Sequence, residues 1–556
     1  MTRENALEAK ADEPSAPGLR AVLIALELLV LGVVLGLAWK ARTAWPDVPL
    51  ADQDTWGYLH PALTWLSGLG FEQTDGRDWP YPAMLALFLK MAGSFSGIVM
   101  GQKALGLLSG ICMAVAWRCW VSMLPFRRWI LFLASILGAV PIYVQLVNQQ
   151  TIFFELSIRP ESVLPCFVYA QLACLMGYCK YRWQTPRAKP AVILGAAAIL
   201  LAYACFLLKP SWYFGAATTS APVLIGLFGR ALSWRIRLAA LALGLAAALL
   251  LLWLPGRVAV IRDGSAQTLL PDALFCVHAE FILKYFDAKL AGMPDSDPGK
   301  AKLQSLVTVL KSELYQAGHG RKVYEKLQFD ADYLMHSPQL GEALNVYTDG
   351  DRGKFSRFCY ASYFRGVWHD PLGYTRKVFS QFTHFLFPEP KTFFVDQFNV
   401  TKEYRNSVSV WVTADQAAWR PEVRQMYLRY HEELRSRSRT ARSLGKDRRL
   451  EMLREKVSSS AFSVEVLFLV ALVAALAWAP LHPLRLGGWA AFFLFLAPAG
   501  NAFGVCIVHT LDIYRYRVTY GGYLLFALTA MAVFVGIVLA QALAHLVARR
   551  HARAVA

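Results

Sequence analysis

Ten apolar runs dominate this chain, at 19–39, 97–117, 129–147, 162–179, 189–208, 212–229, 237–256, 462–481, 486–508 and 519–547. A helix needs roughly 20 apolar residues to cross the hydrocarbon of a bilayer. Inside lipid every backbone N–H and C=O must be satisfied within the segment, so runs of this kind become helices. The expected fold is therefore an all-α polytopic membrane protein with about ten transmembrane helices. Charge is distributed to match. Only 17% of residues are charged, against about a quarter in a soluble domain, and 54 of the 96 charged side chains lie between 261 and 460. A single water-soluble enzyme is excluded, and a large polar insert interrupts the membrane part.

The formal net charge of +18 would suit a nucleic-acid partner if it were gathered in one place. It is not. With the N-terminus in the cytoplasm, the short loops on that side carry Arg118, Arg127 and Arg128, then Lys180, Arg182, Arg187 and Lys189, then Arg230, Arg235 and Arg237, then Arg485. The C-terminal Arg549, Arg550 and Arg553 fall on the same side, as the positive-inside tendency requires. Both termini are expected in the cytoplasm, and no nucleic-acid partner is expected. Lys40 and Arg42 are the main exceptions. The first run is too long to be a removed signal peptide.

This orientation divides the chain into a tail at 1–18, a membrane module at 19–256 with an external loop at 41–96, an extracytoplasmic insert at 257–461, the last membrane helices at 462–547 and a tail at 548–556. The external loop has helical spacing twice, through Trp56, Leu59, Leu63 and Leu66 and through Met84, Leu87, Phe88 and Met91. Both stretches are too short to span and suit helices lying in the interface. The insert is expected to be mainly helical, with Leu303–Leu314, Arg321–Phe329 and Pro421–Val457 as helices and turns at Met293–Gly299 and Thr348–Gly353. Its two cysteines, Cys276 and Cys359, are a conceivable disulfide if the compartment is oxidising.

The chemistry is concentrated just after the first run, in Asp52, Gln53, Asp54, Thr55, Trp56, Gly57, Tyr58 and Leu59. Two carboxylates two residues apart can supply oxygen ligands to a divalent cation or act as a general base. Acidic residues at a helix start also favour its dipole with no further role. No P-loop, dinucleotide fingerprint, HExxH or nucleophile elbow is present. Gly106 and Gly110 form a GxxxG packing motif.

A first membrane helix, an acidic motif beyond it, two interfacial helices and a train of short-looped spans together resemble the GT-C superfamily of glycosyltransferases, which use polyprenyl-phosphate sugars. The matching stretch is Asp52–Leu59, followed by Pro61, Ala62, Arg77, Tyr81 and Pro82. The resemblance covers the membrane part and leaves the insert unmatched. It implies that Asp54 is the catalytic acidic residue, with Asp52 as the alternative. The corners Arg159-Pro160-Glu161 and Lys209-Pro210-Ser211 look like those that line the family's cavity, and the turn through His509, Arg515 and Arg517 looks like the one that holds basic side chains near the donor phosphate. The resemblance thus implies donor-phosphate contacts from Arg515, Arg517, Lys209, Arg159 and Arg77, and substrate contacts from Tyr58, His60, Tyr81, Glu161 and His509. Each has a plainer explanation: Arg77 can pair with Asp75 or Asp78, Lys209 can snorkel to the interface, and His60 can be an amphipathic contact.

The same resemblance implies an extracytoplasmic glycosyltransferase of a bacterial inner membrane, with its active site on the outer or periplasmic side. Its partners would be membrane lipids, a polyprenyl-phosphate-linked sugar and a cell-envelope glycan, lipid or protein as acceptor. No cofactor is obligatory on this reading; Mg or Mn held by Asp52 and Asp54 is the open option. The alternative class is a transporter or flippase of a lipid-linked or anionic solute, which should carry ionisable groups near the middle of its spans. Here the apolar runs are largely free of them, with Lys103 a shallow exception.

Overall fold

The computed structural model describes residues 17–72, 77–126, 128–185, 187–225, 233–255, 257–258, 269–319, 329–386, 399–412, 416–440, 448–508 and 513–555. The chain is all-α. Its helices are α1 (Pro17–Thr43), α2 (Thr55–Leu66), α3 (Pro80–Ala92), α4 (Ser96–Val121), α5 (Arg128–Leu137), α6 (Ala139–Val147), α7 (Gln149–Leu156), α8 (Leu164–Cys179), α9 (Ala188–Leu208), α10 (Tyr213–Ile225) and α11 (Trp234–Ala248). They continue with α12 (Leu270–Val277), α13 (Ala279–Gly292), α14 (Pro298–Gly318), α15 (Ala331–Met335), α16 (Pro338–Tyr347), α17 (Arg352–His369) and α18 (Pro371–Leu386). The last are α19 (Val400–Ser409), α20 (Pro421–Thr440), α21 (Arg448–Ala477), α22 (Arg485–Val508) and α23 (Ile513–Val555). Extended pairing among the described residues is confined to one isolated parallel bridge, Leu50 with Ser157.

Among the described residues, eight helices are long and apolar enough to cross a membrane: Ala21–Thr43, Ser96–Val121, Trp129–Val147, Ala188–Leu208, Trp234–Trp253, Ser459–Ala477, Ala479–Val508 and Gly521–His551. The sequence leads one to expect ten. Of the other two runs, that at 162–179 forms the 16-residue α8, which passes into a π-helical stretch at Lys180–Gln184, and that at 212–229 forms α10 as far as Ile225, with 226–229 outside the described residues. The two short helices expected in the loop at 41–96 form as α2 and α3.

The chain forms two compact units. One holds 1–266, 389–500 and 518–556, the other 267–388 and 501–517. The sequence suggests one insert at 257–461; in the structure the described residues 399–412, 416–440 and 448–461 fall in the first unit. Of the expected insert helices, Leu303–Leu314 lies in α14 and Pro421–Val457 is divided between α20 and α21, while 321–328 lie outside the described residues.

In the membrane unit, α4 packs along α8, α8 along α9, and α9 along α11. Both glycines of the GxxxG motif have a definite reason. A side chain at Gly106 would enter the space of the Glu155 carboxylate, and one at Gly110 would meet Leu146. Of the two charges that break the expected positive-inside pattern, Lys40 is exposed and Arg42 is neutralised within the protein. Arg42 is fully buried, bonded through Nε to Glu155 Oε2 at 2.7 Å and through Nη1 to the carbonyls of Ala38 and Leu146 at 3.0 and 2.7 Å. Lys103 is bonded to Asp47 at 2.7 Å.

The second unit is a helical domain around Phe275, Ile282, Leu306, Val307 and Leu310. Its helix starts are written in the sequence: Asp297, Asp330, Ser337 and Asp351 each accept a backbone N–H from the first turn of α14, α15, α16 and α17. Cys276 and Cys359 both lie in its core as free thiols, not joined in a disulfide.

Candidate active site

The site is built where the chain leaves α1. Leu50 pairs with the chain after α7 in an isolated bridge: its N–H donates to Leu156 O at 2.7 Å, and Ile158 N–H to Leu50 O at 3.0 Å. In a parallel bridge side chains two residues on from the paired positions lie on the same face. Leu50 opposite Ser157 therefore sets Asp52 beside Arg159, and Asp52 Oδ2 accepts a hydrogen bond from Arg159 Nε. The other oxygen of Asp52 holds the start of α2, accepting from Asp54 N–H at 2.8 Å and from the Thr55 hydroxyl at 3.3 Å.

Asp54 sits at the N-terminus of α2. Its Oδ1 accepts from Arg77 Nη2 at 2.7 Å, and its Oδ2 lies 3.8 Å from Arg159 Nη2. Arg77 also stands over the Tyr58 ring, 4.9 Å from its centroid, a cation–π contact on the same helix face as Asp54. Arg77 takes Asp54, a partner the sequence did not suggest; Asp78 pairs with no cation among the described residues, and Asp75 lies outside them. Burial pushes the Asp78 carboxyl up to about 6.

Two X-Pro corners supply the remaining charges. A residue before proline is driven out of the helical region, and both Arg159 and Lys209 are extended, with φ −147° and −146°. Each thus ends a helical path and turns its side chain aside. Lys209 does not snorkel: it is buried, with Nζ donating to Glu161 Oε1, and Glu161 is buried too. Tyr81 lies between the two acid–base groups. Its ring meets Tyr58 edge-on at 5.3 Å. Burial pushes its phenol well up, and the charges of Glu161 and Asp52 add to that.

Asp52, Asp54, Tyr58, Arg77, Tyr81, Arg159, Glu161 and Lys209 are thus brought together. Three carboxylates and three cations meet here, with Arg159 facing both Asp52 and Asp54. The four side chains of the outer two pairs remain partly open, with 28% exposure for Asp52, 26% for Asp54, 22% for Arg77 and 16% for Arg159, so an incoming molecule can reach them. His60 is not part of this group. Its ring lies against Trp56 at 5.0 Å, its Nδ1 is 3.9 Å from Glu72, and burial holds the imidazole below its usual value. His509 lies outside the described residues, as do the side chains of Arg515 and Arg517.

Residues that sequence reasoning missed hold this group in place. Gln102, fully buried on α4, accepts from the Tyr81 hydroxyl at 2.9 Å and donates to the carbonyls of Glu155 and Ser157 at 2.7 and 3.1 Å. A glutamine inside an apolar run was the available signal. On the other side of the acidic loop, Ser407 Oγ bonds both N–H and C=O of Ala51 at 3.0 and 2.9 Å, Tyr404 donates to Val48 O at 2.7 Å, and Tyr430 to Pro49 O at 3.0 Å. Nothing in the spacing of α19 and α20 announces these contacts.

Among the described residues no group of three or more His, Cys, Asp and Glu side chains is placed to hold a metal ion. No family model and no curated protein matches the sequence. Among solved structures, the crystal structure of ArnT from Cupriavidus metallidurans bound to undecaprenyl phosphate is similar at 12% identity and a TM-score of 0.30, over 93% of this chain and 78% of that one. At that level of overlap the likeness assigns nothing to this chain.

Proposed function

We propose that the chain is a glycosyltransferase of the GT-C kind, which moves a sugar from a polyprenyl-phosphate carrier to a cell-envelope glycan, lipid or protein on the outer side of a bacterial inner membrane. One observation carries the reading: an acidic pair and three cations converge at the end of an apolar helix, where a lipid-borne phosphate and a polar acceptor would meet. Asp54 would take the proton of the acceptor hydroxyl as its oxygen bonds to the anomeric carbon. The bond from that carbon to the phosphate oxygen breaks, and the polyprenyl phosphate leaves with the electron pair. Arg77, Arg159 and Lys209 would stabilise the charge it gains. Attack opposite the leaving group would invert the anomeric centre, as the resemblance to the superfamily implies. Arg515, Arg517 and His509 keep their proposed roles at the donor phosphate and the substrate.

The residues do not suit a divalent cation, since Asp52 and Asp54 are each held by an arginine, and no step of the reading uses one. One observation favours the transport alternative: Glu465, buried within Ser459–Ala477, has an oxygen with no hydrogen-bond partner among the described residues, and an ionisable group in a span is a pathway signal. The test is Asp54→Asn. A folded, membrane-inserted variant should lose sugar transfer from a polyprenyl-phosphate donor, and full transfer would remove the reading. Glu465→Gln should leave transfer intact; loss of solute movement with no transfer activity in the wild type would favour transport.

A further inference from the structure

The two acids of the motif have different work. Asp52 has both oxygens committed, Oδ1 to the first turn of α2 and Oδ2 to Arg159. It is poorly disposed to collect a proton from a substrate. Asp54 is held through Oδ1 by Arg77 at 2.7 Å, and its Oδ2 forms a longer ion pair with Arg159 at 3.8 Å. Arg159 therefore faces both carboxylates and lies closer to Asp52 than to Asp54.

A guanidinium forms its strongest bonds with carboxylate and phosphate, and both compete for the same planar face. Arg159 is already neutralised by a carboxylate of its own chain, and the Leu50–Ser157 bridge keeps the two backbones in register. We infer that Asp52 is an internal counter-ion that holds Arg159 until a lipid phosphate displaces it. The inference rests on the proposed reading and assigns Asp52 a role within it. When Arg159 turns to the phosphate, its positive charge also moves away from Asp54. The base gains proton affinity only when the donor is in place, so proton removal from the acceptor is tied to the presence of a sugar to receive it.

Titration calorimetry in detergent, with the purified full-length protein and a polyprenyl monophosphate of three isoprene units, tests this. Asp52→Asn keeps an oxygen for Asp54 N–H and Thr55 but removes the competing charge, and should bind the lipid phosphate about tenfold tighter than wild type, equivalent to roughly 1.4 kcal/mol. Asp52→Glu, which keeps the charge, should show no such gain, and Arg159→Ala should bind at least tenfold more weakly. Inorganic phosphate should show the same order at lower affinity, because the exchange occurs at the head group. The prenol lacking phosphate should bind all variants alike. Unchanged or weaker phosphate binding by a folded Asp52→Asn protein overturns the exchange and leaves the reading standing. Failure of wild type and variants alike to bind the lipid phosphate overturns the reading itself.

Discussion

Replacing Gln102 by leucine should loosen the site without touching any of its charges. The side chain is fully buried and makes three hydrogen bonds, at 2.7, 2.9 and 3.1 Å. Leucine fills nearly the same volume, so cavity terms are small and the loss is one of hydrogen bonding. Each bond is worth about 1 kcal/mol net, and more where the abandoned partner stays buried. The Ser157 carbonyl keeps Arg159 N–H at 2.8 Å as a second partner; the Glu155 carbonyl carries the larger penalty. The sum is about 3 kcal/mol. Tyr81→Phe removes one of the three bonds and should cost about 1 kcal/mol. In the double variant that shared bond is lost only once, so its cost should fall short of the sum by about 1 kcal/mol. Unfolding of the purified protein in detergent, monitored at its tryptophans, measures all three. Transfer activity should fall with Gln102→Leu and donor binding should weaken with it, since the turn carrying Arg159, a phosphate contact in the proposed reading, loses its anchor. A Gln102→Leu protein as stable as wild type would refute the energetic assignment, and one equally active would refute the link to the site.

Gly106→Ala should destabilise by about 1–3 kcal/mol through overpacking against the Glu155 carboxylate, whereas Gly36→Ala, with nothing within 4 Å of the added carbon, should not; melting temperatures of the pair decide. Asp78, raised by burial from 3.8 to about 6, binds its proton more tightly in the folded protein than in the unfolded chain. Its contribution is full below about pH 4 and is lost as pH rises through 6, so Asp78→Asn should flatten the stability profile between those limits, as unfolding midpoints across that range would show. Lys377 donates to Val277 O at 2.7 Å and to His278 Nδ1 at 3.0 Å, and burial lowers it from 10.5 to about 7. The unfolded chain holds that proton to higher pH, so stability should rise between about pH 7 and 10. Lys377→Met should remove that rise, measured by hydrogen exchange in α18.

The helices were legible because a long apolar run in lipid has no other way to satisfy its backbone. The acidic motif was legible too, as were Arg159 and Lys209, since each stands beside a proline that ends a helix. Their pairing was not. Asp52 meets Arg159 across 107 positions, and only the register of the Leu50–Ser157 bridge decides that meeting. His60 shows the opposite case. At 3.6 residues per turn Tyr58 falls on the face of Asp54 and His60 turns away with Trp56, so its exclusion could have been read from the sequence. The division of the polar insert was hidden because bracing by Tyr404, Ser407 and Tyr430 uses isolated side chains with no pattern of their own.

The Leu50–Ser157 bridge also imposes a timetable. A ribosome adding about 5–20 residues per second needs roughly 5 to 20 s to make the stretch between Asp52 and Arg159. During that interval the acidic loop has left the first helix with neither its strand partner nor its arginine. Whatever keeps two bare carboxylates from mispairing then must come from the nascent chain already made or from the insertion machinery.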